Sequence, residues 1–185
     1  MEANGAGPAI AGVEIIRPVV HADDRGSFQE TYRRSWFPLG REMVQGSRSE
    51  KVAGSLVGLH YHLHQADYWY VVNGTAFVVL YDLREASSTY DTVLTLEIGE
   101  SNPVGVFIPP GVAHGFATIT DITLTYLVDS YYNPSDELGI AWNDPRFAGV
   151  WPLADPVVSV RDSANPMLAE IPEEKRPHGV LRSAG

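Results

Sequence analysis

Four histidines in two short stretches carry the chemistry that this sequence offers. His60, His62 and His64 alternate within GSLVGLHYHLHQADYWYVVNG, residues 54–74. In an extended strand, residues at i and i+2 point to the same face. The spacing therefore predicts three imidazoles on one side of a strand. Asp67 follows, then an apolar run over 68–72 and an Asn73-Gly74 pair of the kind that forms turns. A second stretch, IPPGVAHGF at 108–116, delivers His114 after a Pro-Pro-Gly turn. Neutral imidazoles beside a carboxylate suit two chemistries: proton transfer near neutral pH, or coordination of a divalent transition metal. The plain alternative is a buried, mutually satisfied polar cluster. Burying such groups without partners is costly, and four histidines so arranged favour a functional site.

Short strands must position these side chains. Apolar and β-branched runs at close spacing predict strands over 13–20, 27–32, 43–49, two within 54–74, and others over 75–83, 92–98, 104–108, 115–120 and 123–131. A helical turn is expected within 33–40, broken at Pro38, and another at 133–137. No long segment has the 3.6-residue period of a helix. The pattern predicts an all-β sandwich or barrel. Residues 1–11 are expected to be a flexible tail, 12–172 a single domain ending in an irregular, proline-rich arm, and 173–185 a second tail.

Composition narrows the function classes. The chain has 185 residues, which fits one domain with a sizeable core. Hydrophobic residues make up 44%, which excludes disorder throughout. The formal net charge is −10 and no basic stripe is present, so neither nucleic acid nor a membrane surface is an expected partner. An anionic substrate needs a local arginine or lysine. Cysteine is absent, which excludes disulfides, thiol catalysis and cysteine–zinc sites. The opening residues lack a basic leader and no apolar run is long enough to cross a membrane, so a cytoplasmic protein is expected.

Two motif patterns overlie the histidines. The first, His60-x-His62, Asp67, Gly74, then Pro109-x-Gly111-x-x-His114, resembles the paired motifs of the cupin superfamily, with Asp where Glu is usual. That resemblance implies a cupin-type double-stranded β-helix, or jelly-roll barrel. It also offers an alternative metal set of His60, His62, Asp67 and His114 around one divalent transition metal.

The second pattern spans residues 12 to about 166. Its segments are Asp24-Arg25-Gly26-x-Phe28-x-Glu30, Gly58-Leu59-His60-Tyr61, Tyr81-Asp82-Leu83-Arg84, residues 108–116, Tyr126 with Tyr131-Tyr132, Gly139-Ile140-x-Trp142-Asn143-Asp144-Pro145, and Ser159-x-x-Asp162. Together they resemble the dTDP-4-dehydrorhamnose 3,5-epimerase family, a branch of the cupins. The resemblance implies a cofactor-free homodimer that inverts C3 and/or C5 of a nucleotide-linked 4-keto-6-deoxy sugar. It makes His60 the general base, Asp162 its carboxylate partner and Tyr126 the acid on the opposite face. It places Gln45, His62, Asp67 and His114 against the ligand and Trp142 in the nucleotide site. Arg25 and Glu30 would reach that ligand across the dimer interface. Taken from spacing alone, Tyr126 and Trp142 would be core residues and Arg25 part of a solvated turn.

The departures from that family matter chemically. Val57 stands where the family usually has an arginine, Asp67 where it has a lysine, His62 where it has a glutamine and Ser47 where it has an asparagine. The acid–base skeleton is kept while anion-handling groups are lost. A sugar-binding cupin without turnover is the non-enzymatic alternative.

Overall fold

The computed structural model describes residues 9–37 and 41–178. Its strands are β1 (Glu14–Ile16), β2 (His21–Asp23), β3 (Gly26–Phe28), β4 (Gln45–Lys51), β5 (Ser55–Tyr61), β6 (Asp67–Asn73), β7 (Thr75–Asp82), β8 (Val93–Gly99), β9 (Gly105–Ile108), β10 (Val112–Thr118), β11 (Ile122–Val128), β12 (Leu138–Gly139) and β13 (Val157–Val158). One α-helical turn, α1 (Val160–Ser163), and four short 3-10 turns complete the described elements.

The strands form two facing sheets. The first has the order β1-β9-β6-β11-β4; the second has β12-β5-β10-β7-β8, with β13 parallel to the Ser55–Leu56 end of β5. All other pairings are antiparallel. This is the expected jelly-roll arrangement, in which apolar inner faces pack against each other. Trp69, Val71, Val106, Ile108 and Leu124 from the first sheet meet Val78, Leu80, Ile98, Val112 and Phe116 from the second in one buried cluster. No described helix is long and apolar enough to cross a membrane.

Several sequence expectations shift. The strand expected over 13–20 is confined to Glu14–Ile16, because only those residues pair with β9. The strand expected over 27–32 shrinks to Gly26–Phe28 in an exposed two-stranded ribbon with β2. Asn73-Gly74 does not close a hairpin. It carries the chain from the first sheet to the second, and β6 and β7 do not pair. Gly74 has φ +78°, and a Cβ there would lie 2.0 Å from the Asp121 carbonyl oxygen. The helical turn expected over 133–137 is a hydrogen-bonded turn without helix, closed by Asp136 N–H donating to Asn133 O. The turn expected within 33–40 forms at Arg34–Trp36; Pro38 lies outside the described residues.

The tails also differ. Residues 1–8 lie outside the described part, but Ile10 is buried in the core and Ala11 N–H donates to Thr89 Oγ1. Residues 173–178 continue the packed arm rather than starting a tail. Tyr61 Oη–H donates to Lys175 O, and the Arg176 guanidinium reaches the carbonyls of Leu168 and Ile171.

Candidate active site

β5 and β10 lie side by side, with His60 directly opposite His114. Close approach of these strands depends on Gly58, which has φ +106°. A Cβ on Gly58 would sit 2.7 Å from His114 O and 2.9 Å from Gly115 Cα. The Gly58 N–H donates to Asp162 Oδ2 at 3.1 Å, and the other oxygen, Oδ1, lies 2.6 Å from His60 Nε2. Asp162 reaches β5 because β13 runs parallel to it and is followed at once by α1. Ser159 caps that turn by accepting from the Asp162 N–H. The carboxylate is buried, which alone would raise its pKa. The hydrogen bond and charge of His60, the Gly58 N–H and the Arg161 charge outweigh this and hold it below the ordinary value.

His60 lines a cavity of about 210 Å³ between the two sheets. The second sheet contributes Val57, His60, His114 and Phe116 to it. The first sheet contributes Ser49, Lys51, Asp67, Trp69, Leu124 and Tyr126. His60 and Tyr126 thus stand on opposite walls. Tyr126 is half-buried and sits between Trp69 and Ser47 across the strands. Glu137 and Arg161 close one side of the cavity, joined by a 2.9 Å ion pair.

His62, Asp67 and His114 form a second, buried group at the same cavity, with Asp67 from the first sheet meeting the two histidines of the second. His62 Nδ1–H donates to Asp136 O at 2.7 Å, and His114 Nδ1–H donates to Val112 O at 2.9 Å. Nε2 of each ring faces Asp67, at 3.6 and 3.8 Å. Gln65 Nε2 donates to Asp67 Oδ1 and to His62 Nε2, while Trp69 Nε1–H donates to Asp67 Oδ2. Burial pushes the His114 pKa down to about 4, against the opposing pull of the Asp67 charge. His114 is therefore neutral at physiological pH.

The remaining residues singled out from sequence are scattered. His64 is exposed, because β5 ends at Tyr61 and the alternation does not continue to residue 64. His60 does not join the cluster of His62, Asp67 and His114, whose donor atoms lie within 4.8 Å of one another. The four-ligand metal set does not assemble, since His60 is committed to Asp162. Gln45 begins β4 and accepts from the Tyr132 N–H, outside the cavity lining. Trp142 lines a different surface hollow with Phe147 and Trp151. Arg25 is exposed and paired with Asp23, and Glu30 is paired with Arg33; neither borders the His60 cavity within this chain. The wall residues not singled out from sequence include Ser49, Lys51, Gln65, Trp69, Leu124, Glu137 and Arg161. The alternation of β4 carries a signal for the first two, since Gln45, Ser47, Ser49 and Lys51 share its half-buried face.

Residues 8–170 match the family model of dTDP-4-dehydrorhamnose 3,5-epimerase. The dTDP-4-dehydrorhamnose 3,5-epimerase of Neisseria gonorrhoeae is 36% identical over 169 residues; the match covers 88% of this chain but only 52% of that longer protein. A dTDP-4-dehydrorhamnose 3-epimerase of Streptomyces niveus is also 36% identical over 169 residues, covering 87% of this chain and 82% of the relative. The solved dTDP-6-deoxy-D-glucose-3,5-epimerase of Legionella pneumophila, in complex with dTDP-4-keto-L-rhamnose, superposes with a TM-score of 0.87 at 30% identity, covering 94% of this chain and 97% of that one. In sequence over residues 8–170 and in its jelly-roll fold, this chain belongs to the dTDP-4-dehydrorhamnose 3,5-epimerase family of isomerases.

Proposed function

We propose that this chain epimerises a dTDP-linked 4-keto-6-deoxy sugar at the carbons flanking the keto group. One observation carries the reading: the 2.6 Å His60–Asp162 pair opens on a cavity that Tyr126 lines from the opposite wall. Inversion at carbon requires a base on one face and an acid on the other. With Nε2–H donated to Asp162, the His60 lone pair sits on Nδ1. Nδ1 takes the C–H proton, and the C–H electron pair moves into the ketone to give an enolate. The buried Asp162 carboxylate orients the ring and stabilises the imidazolium. The Tyr126 hydroxyl then returns a proton to the other face, and both residues reset by exchange with solvent. His62 and His114 are held as hydrogen-bonding wall residues. Asp67, beside them, opposes enolate charge electrostatically. Trp142 contacts the nucleotide and Gln45 contacts the ligand from the start of β4, while Arg25 and Glu30 reach the ligand from a second copy of the chain. The 3-epimerase named for Streptomyces niveus makes the number of inverted centres the open variable.

The test is proton NMR of a dTDP-4-keto-6-deoxyhexose incubated with the protein in D2O. Deuterium should enter at C3, at C5 or at both. His60→Ala should abolish incorporation, and Asp162→Asn should slow it by about 100-fold or more. Wild-type incorporation in His60→Ala would overturn the assignment.

A second reading is favoured by the buried group of His62, Asp67 and His114. Two imidazoles anchored through Nδ1 on carbonyls, with Nε2 facing a carboxylate, form a donor set suited to a divalent transition metal. Such an ion would supply a Lewis acid where the family has a lysine. Because His60 is not part of this set, a metal and a free His60 base are compatible. Gln65 and Trp69 satisfy the same atoms without any ion. Elemental analysis of protein purified without chelators separates the two. Stoichiometric metal, lost in the His62→Gln, Asp67→Lys double variant, supports the ion; exchange by metal-free protein ends it.

A further inference from the structure

Lys51 is a half-buried cation that stands between the His60 cavity and a second surface hollow. It ends the half-buried face of β4 and borders the cavity together with His60, Val57 and Tyr126. A charge on the inner face of a strand is costly unless it serves a ligand or a partner. Arg161, the other cation in the cavity wall, is taken by Glu137 at 2.9 Å. Among the described residues Lys51 makes no ion pair. Its ammonium donates only to the neighbouring Glu50 carbonyl, at 3.3 Å, and the Glu50 carboxylate is engaged with Arg48. The same cavity wall carries Asp67 and Glu137, and the molecule as a whole is strongly acidic. Any anion entering this cavity meets one uncommitted positive charge.

We infer that Lys51 holds the diphosphate of the nucleotide-sugar, taking over from β4 the charge that Val57 on β5 does not provide. This rests on the dTDP-sugar reading above. Position favours the diphosphate over the reacting carbons. Lys51 lies four residues along β4 from Ser47, the register partner of Tyr126, which is about 13 Å of strand. The lysine stem can lie along Val57 and Leu124 while the ammonium stays at the cavity rim. A compact charge on a flexible stem suits a phosphate group approached from one side.

Calorimetric titration of the full chain with dTDP, thymidine and inorganic pyrophosphate tests this. Lys51→Met should weaken dTDP and pyrophosphate by about tenfold or more. It should leave thymidine binding and the melting temperature unchanged, and Lys51→Arg should restore most of the loss. Added salt should weaken dTDP binding in the wild type and matter less in Lys51→Met. Equal dTDP affinity in wild type and Lys51→Met overturns the inference, as does wild-type protein that takes up neither dTDP nor pyrophosphate. Lysine-dependent dTDP binding without any deuterium exchange into a 4-keto sugar would keep Lys51 and remove the epimerase reading.

Discussion

Asp162 and His114 are buried titrating groups whose folded-state pKa lies below the ordinary value, for opposite reasons. Asp162 is held down by its partners, so its contribution is present above the ordinary carboxylate range and lost as pH falls through the folded value. His114 is held down by burial to about 4, from 6.5. Between those values the unfolded chain binds the extra proton and the folded one does not. Stability should therefore fall as pH drops from 6.5 towards 4, with His114 accounting for up to about 3 kcal/mol. Urea midpoints measured from pH 7.5 to 4 should show this slope, and His114→Gln should flatten it. An unchanged slope in that variant would refute the assignment. At this scale much was legible. The His60, Asp162 and Tyr126 positions came from motifs, and the structure brings His60 and Asp162 within 2.6 Å. Gln65, whose side chain ties His62 to Asp67, was not singled out, because a glutamine two residues before an aspartate has no distinctive pattern.

Strand existence was readable from β-branched and aromatic runs, whereas strand partners were not. Asn73-Gly74 has hairpin chemistry, yet the flanking strands belong to different sheets, since register and sheet membership are set by long-range packing. Gly58 is the element-scale hinge of the site. Gly58→Ala would put a Cβ against the β10 backbone at an unfavourable φ. It should destabilise the fold by about 2–4 kcal/mol and slow exchange by displacing His60; thermal melts and the D2O assay read both. Tyr81-Asp82-Leu83-Arg84, a family-matching segment, has a structural explanation instead. Asp82 and Arg84 form a buried pair at 2.7 Å, with Ser87 and Thr89 also donating to Asp82. Arg84→Ala leaves that carboxylate buried and unpaired, at a cost of about 3–5 kcal/mol. Because the pair does not border the cavity, the folded fraction should keep its KM. A melting temperature within a degree of wild type would contradict this account.

At the scale of the molecule, Arg25 and Glu30 sit on the exposed N-terminal segment, away from the cavity of their own chain. If they serve the ligand, they serve that of a second copy. Light scattering at micromolar concentration should then give a dimer. Mixing Arg25→Ala protein with His60→Ala protein, each inactive, should restore exchange, because a mixed dimer contains one site with both native residues. No recovery after subunit exchange would place Arg25 outside the shared site. Within one chain the dyad itself spans 102 positions of sequence. His60 belongs to an inner strand of the barrel, while Asp162 arrives on the late arm that docks as β13 and α1. During synthesis, all the long strands of both sheets emerge before residue 162 does. A nascent chain can thus hold a near-complete barrel in which His60 has neither its hydrogen-bond partner nor a fixed tautomer. On the proposed mechanism, a His60 without that partner is a poor base, so proton abstraction waits for the arm to dock on β5.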